Sequence, residues 1–306
     1  IKELLRDMIL RLQPRQIAVN TSRINVHADG LTHSMYEELR DYLAGTPYAD
    51  RLISAEPVIN AMRGRKTQTE LARIQKAVEI TNEIYQKTFT FIKVGMTEIE
   101  VANYMHALMQ EYGVGHAWPS ENNPAVNSGP NSPVGHNGPT DIRIEPGHVI
   151  HFDFGVKYEG YCSDIQRVAY VLREGETEAP LEVQRGFITV RTAIEQSRGA
   201  MKAGVTGNSI DVISREVITD SGYPEYMYAL GHQLGRVAHD GGALLGPKWE
   251  KYGDSPNQTL EVGQVYTIEP GLAVSQGYIG LEEDVVLTEE GALYIGEPQK
   301  EIVLIK

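Results

Sequence analysis

Three observations predict an α+β fold made of two related halves, preceded by part of a smaller α/β domain. Helix-spaced and strand-like apolar patterns both occur from Arg63 onward. The pattern K-x-G-x-T occurs at Lys93, Gly95 and Thr97 and again, 109 residues later, at Lys202, Gly204 and Thr206. Each copy precedes a helix, a Gly/Pro/His-bearing stretch and a strand pair carrying two carboxylates. Glu269 lies 116 residues after Asp153, Glu282 lies 118 after Asp164, and His239 lies 103 after His136. A duplicated helix-helix-hairpin unit predicts halves related by a pseudo-twofold axis, with paired hairpins in a shared curved sheet backed by helices. The functional site is expected where the halves meet.

In chain order, residues 1–62 read as a short helix, a strand (Q-I-A-V-N), a second helix (S-M-Y-E-E-L-R-D-Y-L-A-G) and an extended piece (R-L-I-S-A-E-P-V-I-N). They are expected to form part of an α/β domain, with 63–306 as a second, catalytic domain. Leu71, Ile74, Ala77, Val78 and Ile80 mark a long helix that opens the second domain. Thr97, with Glu100 three residues on, predicts a capped start for the next helix. The Pro-, Asn-, Gly- and Ser-rich stretch from Trp118 to Asp141 reads as a loop. H-V-I-H-F-D-F-G-V and S-D-I-Q-R-V-A-Y-V-L read as strands of a hairpin turning at K-Y-E-G-Y-C.

Composition narrows the function. The 28 Lys and Arg against 41 Asp and Glu give a formal charge of -13, and no basic cluster interleaves with aromatics, which argues against a nucleic-acid partner. The single cysteine, Cys162, permits no internal disulfide, so a cytoplasmic setting is the default expectation. No apolar run approaches the roughly 20 residues that span a bilayer, so no membrane partner is expected. The chain opens on Ile with a charged amphipathic pattern unlike a signal peptide.

Five residues carry the chemistry: Asp153, Asp164, His232 in G-H-Q-L-G, Glu269 in Y-T-I-E-P-G, and Glu282 in G-L-E-E-D-V-V-L-T. Strand alternation sends Asp153 with Val149 and His151 to one face and Ile150, Phe152 and Phe154 to the other, apolar face. Four carboxylates and one imidazole suit two divalent cations such as Mn²⁺, Co²⁺, Fe²⁺ or Zn²⁺ and lack the thiolates of a structural zinc site. Such a pair acidifies a bridging water and polarises a carbonyl, the chemistry of amide hydrolysis. Glu269 is placed to shuttle the proton, and His136 and His239 to hydrogen-bond the substrate carbonyl and the oxyanion. His151 reads as a supporting residue. Cys162 has no base tied to it and reads as a small residue packed in the hairpin.

Together with S-G-P-N-S-P-V-G-H-N-G-P-T-D upstream, these motifs resemble the pita-bread metallopeptidases: aminopeptidase P, prolidase, methionine aminopeptidase and their non-metal relative creatinase. The resemblance covers Arg63 to Lys306. It implies the pita-bread fold, with Asp153, Asp164, His232, Glu269 and Glu282 as dinuclear ligands, Mn²⁺ foremost, and His136 and His239 as substrate contacts. It implies removal of the amino-terminal residue from short peptides. The preceding partial domain favours the Xaa-Pro branch, whose members are commonly homodimers. Aligning V-V-L-T selects Glu282 over its neighbour Glu283. Relatives carry Arg just upstream of the last glutamate, in an R-I-E-D pattern, where this chain is read as having Leu281. That departure keeps a non-peptide amidohydrolase open as an alternative; a peptide-recognition module, a use some relatives make of the fold, is the other, though no metal ligand is lost here.

Overall fold

The structure, a computed structural model, describes residues 1–135 and 137–306. It separates into two compact units, Ile1–Arg63 and Gly64–Lys306.

In the first unit, α1 (Lys2–Leu12) leads to β1 (Ile17–Val19), α2 (His33–Leu43), β2 (Leu52–Ser54) and α3 (Glu56–Gly64). β1 and β2 pair in parallel, Ile17 opposite Leu52, across the α2 connection. Ile9, Leu43 and Tyr48 form its small core. The extended piece expected over R-L-I-S-A-E-P-V-I-N is extended only to Ser54 and then turns helical. Pro57 lies in the first turn of α3, where a missing N–H costs no helical hydrogen bond.

The second unit opens with α4 (Gln68–Phe91) and α5 (Glu98–Tyr112), then β3 (Gly115–His116), β4 (Ala125–Ser128), β5 (Val149–Phe154), β6 (Val156–Tyr158), β7 (Tyr161–Cys162) and β8 (Ile165–Val171). The pattern returns as α6 (Leu181–Ala200), α7 (Gly207–Asp220), β9 (Val265–Ile268), β10 (Gly271–Val274), β11 (Gly277–Gly280), β12 (Glu283–Thr288), β13 (Gly291–Tyr294) and β14 (Val303–Ile305). Thr67 with Glu70 and Thr97 with Glu100 form complete capping boxes at α4 and α5. Thr206 caps α7 by accepting from Ser209 N.

The sheets run β14-β8-β5-β4 in the first half and β13-β12-β9 in the second. β4 falls within the stretch read as loop. Its four residues are all buried, so neither flanking prolines nor strand alternation reveals it in sequence. Phe152 and Phe154 meet Tyr85 of α4 edge-on at centroid distances of 5.9 and 5.8 Å. Each such buried ring contributes about 1.5–3 kcal/mol, and their packing sends Asp153 to the opposite face of β5.

Both K-x-G-x-T turns fold alike. Gly95 N donates to Ile144 O at 2.8 Å and Ile144 N returns to Met96 O at 2.8 Å; Gly204 N donates to Leu260 O at 2.9 Å and Leu260 N returns to Val205 O at 2.8 Å. Gly95 and Gly204 share a left-handed backbone, φ 90° and 88°. The halves are stitched by Glu282 N donating to Gln166 O and by Asp164 N donating to Asp284 Oδ2, both at 3.2 Å.

Candidate metal centre

The four carboxylates converge on this seam. Asp153 comes from β5, and Asp164 from the residue before β8. Glu269 follows β9, and Glu282 stands between β11 and β12. His232 sits on a loop fixed by paired bonds, Gly231 N to Leu245 O at 3.0 Å and Thr267 N to His232 O at 2.9 Å. A side chain at Gly231 would lie 2.0 Å from Thr267 O, so this approach needs glycine.

Asp164, His232 and Glu282 each present a ligand atom, all within 4.8 Å of one another. His232 Nε2 lies 3.4 Å from Glu269 Oε1 and 3.7 Å from Asp164 Oδ2. Asp153, Asp164, His232, His239 and Glu269 line a cavity of about 230 Å³, whose other wall includes Trp118, Pro119 and Asn122. The His239 ring centroid is 4.1 Å from that of His232. Lys66 anchors this histidine's loop through Asp240 at 3.5 Å, and Asp240 N donates to Gln233 O at 2.8 Å. His136 lies outside the described residues.

Burial pushes the Asp153 carboxyl up to about 7. Burial, and then the neighbouring carboxylates, hold Asp164, Glu269 and Glu282 well above the usual carboxylate range. Among the described residues, Asp153 Oδ1 and both oxygens of Glu282 are buried without a hydrogen-bond partner. Buried anions lacking donors are costly unless cations compensate them. The donor set, oxygen-rich with one imidazole, fits divalent metal ions.

The two adjacent glutamates have separate environments. Glu283 pairs with Arg167 at 3.1 Å and accepts from Gln299 N at 2.9 Å. Leu281 packs in the apolar core of the second half. In an R-I-E-D frame whose glutamate is Glu282, the arginine coincides with Gly280 rather than Leu281, which corrects the sequence reading. Two residues near the site escaped that reading. Asp284 carries a buried Oδ1 that has no hydrogen-bond partner among the described residues, and Gln166 Nε2 donates to Glu269 Oε2 at 3.1 Å. Alternation could have revealed Asp284, because residues two apart in a strand share a face. Nothing in the sequence marked Gln166.

A buried carboxylate and imidazole cluster at the junction of two duplicated halves defines a metal-dependent enzyme class. The chain belongs to metallopeptidase family M24, whose model matches residues 72–289. It is 32% identical over 235 residues to an uncharacterized peptidase of Staphylococcus aureus, covering 76% of this chain and 62% of that protein. The chain thus spans under two thirds of that relative's length. An uncharacterized peptidase of Bacillus subtilis is 30% identical over 92% of this chain and 75% of its own length. Among solved structures, an X-Pro aminopeptidase from Thermotoga maritima matches with TM-score 0.76 and 29% identity, covering 99% of this chain and 79% of that one. A Xaa-Pro dipeptidase from Bacillus anthracis matches with TM-score 0.77 and 26% identity, covering 99% and 78%. The fold is the expected pita-bread fold.

Proposed function

We propose that this chain is a metal-dependent exopeptidase that removes the amino-terminal residue from short peptides, with Pro preferred in the second position. The observation that carries this reading is the convergence of buried, donor-poor carboxylate oxygens on His232 beside a cavity of only about 230 Å³. Such a volume suits a chain end rather than a folded segment. Asp153, Asp164, His232, Glu269 and Glu282 hold two divalent cations, Mn²⁺ foremost. When bound, these cations supply Lewis acidity to a substrate carbonyl and lower the pKa of water.

Glu269 Oε1 receives the proton released on attack and passes it to the leaving nitrogen. His239 donates a hydrogen bond toward the substrate, and His136 takes the partner role that its sequence motif assigns. Trp118 and Pro119 give the cavity wall its apolar surface. Residues 63–306 form the catalytic part, 1–62 belong to a smaller α/β domain, and the working form is a cytoplasmic homodimer. The solved relatives described as X-Pro aminopeptidase and Xaa-Pro dipeptidase support the proline preference. Gly280 in place of the pattern's arginine favours a second reading, a non-peptide amidohydrolase on the same site.

The test is hydrolysis of Xaa-Pro dipeptides, Xaa-Pro-Xaa tripeptides and matched peptides without Pro after Mn²⁺ or Co²⁺ loading. Cleavage restricted to the Pro peptides is expected. Failure to cleave any peptide in a metal-replete protein would move the assignment to the amidohydrolase.

A further inference from the structure

One buried polar chain beside the site has no part in the reaction just described. Gln166, opposite Asp153 in the β5–β8 register, donates from Nε2 to Glu269 Oε2 at 3.1 Å. Its Oε1 accepts from His151 Nε2 at 2.9 Å. His151 Nδ1 lies 3.2 Å from Asn127 Oδ1, and Asn127 Nδ2 donates to Pro133 O at 2.8 Å, which fixes the orientation of that amide. All three side chains belong to buried residues. Two neighbouring strands of the first half, β5 and β8, therefore each contribute one residue to a hydrogen-bonded pair that ends on a carboxylate of the second half, while Asn127 of β4 packs against the far side of the imidazole.

The chain depends on an empty position. A methyl group at Gly280 would sit 2.6 Å from Gln166 Oε1 and 2.7 Å from His151 Nε2. Any side chain there displaces the pair. The R-I-E-D pattern places its arginine at this position, so a guanidinium and the amide–imidazole pair compete for one space. A carboxylate crowded by others has several rotamers of similar energy, and a hydrogen bond to its charged oxygen selects one.

We propose that Gln166 is a positioning residue that holds Glu269 in its proton-shuttling orientation, that His151 fixes Gln166, and that Gly280 leaves room for both. This rests on the role given to Glu269 above. Substituting Gln166→Leu removes the donor at similar volume. The expected result is a fall in kcat of about 10- to 100-fold, the usual cost of losing a partner that orients a metal ligand. KM and cation content stay near wild type, while the visible spectrum of the Co²⁺-loaded protein changes.

Gly280→Ala is expected to reproduce both effects. Combining it with Gln166→Leu adds nothing further, because both substitutions break one hydrogen bond. Wild-type kcat and spectrum in Gln166→Leu, or fully additive losses in the double variant, would overturn the proposal. Gln166→Met, unbranched and of similar reach, provides the same test if the leucine variant does not fold. Unfolding of Gln166→Leu, Gln166→Met and Gly280→Ala alike would make the chain purely structural and end the proposal. The Co²⁺ spectrum separates this inference from the proposed activity: a spectral change in Gln166→Leu with no peptide cleaved by wild type defeats only the activity.

Discussion

The two halves of the second unit hold equivalent loops by different chemistry. In the first half the residue after the K-x-G-x-T threonine is Glu98, whose fully buried carboxylate accepts from Ser128 N at 2.7 Å, Thr140 N at 2.9 Å and Thr140 Oγ1 at 2.7 Å. In the second half it is Gly207, where a side chain would lie 2.0 Å from Leu244 O. One loop is held by an anion and the other by backbone contact, yet both flank the same cavity. Duplicated geometry thus survives replacement of the groups that maintain it, provided that each buried donor still finds an acceptor.

The largest contrast to test is between the adjacent glutamates of the second half. Glu282→Ala is expected to abolish both bound divalent metal and peptidase turnover, measured by metal analysis and peptide hydrolysis. Glu283→Ala is expected to leave the ligand set intact but cost about 3–5 kcal/mol in urea unfolding, because it removes the carboxylate paired with the buried Arg167, which retains only neutral acceptors such as Gln166 O and Glu282 O. Equal metal loss in both variants would place the ligand register wrongly.

Next in size is the Glu98 anchor of the first half. Glu98→Ala leaves the buried Ser128 N–H and the half-buried Thr140 N–H without their acceptor, at about 1–3 kcal/mol for the buried one and less for the other. A fall in the urea midpoint and a raised KM are expected, since the loop borders the cavity through Gly135. Its counterpart, Gly207→Ala, is expected to cost about 1–3 kcal/mol as overpacking. A neutral Gly207→Ala would show that the second loop can yield where the first cannot. The smallest contrast lies in the helix caps: Thr206→Ala is expected to cost about 1 kcal/mol. Thr97→Ala should cost more, because it also disrupts the capping box with Glu100. Equal costs would show that the reciprocal glutamate contributes nothing.

The features legible in sequence were those with local periodicity or repetition. The α4 helix follows from the spacing of Leu71, Ile74, Ala77, Val78 and Ile80, the α5 start from Thr97 with a glutamate three residues on, and the face of Asp153 from alternation against Phe152 and Phe154. The repeat itself located the seam. What was illegible depends on contacts between distant segments. β4 is recognisable as a strand only because β5 lies beside it, α3 was hidden in an apolar run with no clear period, and Gln166 gains its meaning from Glu269, 103 residues away. The space at Gly280 is likewise a property of side chains from other strands. Cys162, read as a packed small residue, is fully buried, and burial pushes its thiol up to about 12, which leaves it unreactive at neutral pH.

The seam has a consequence for how the protein comes to exist. Asp153 and Asp164 leave the ribosome more than a hundred residues before Glu269 and Glu282. Contacts of such separation must pay for long loop closure before they are rewarded, so they form late. A nascent chain therefore carries Asp153 and Asp164 without their second-half neighbours through most of its synthesis, until the second hairpin has emerged and docked. The order of the residues thus sets when the buried carboxylate cluster can assemble.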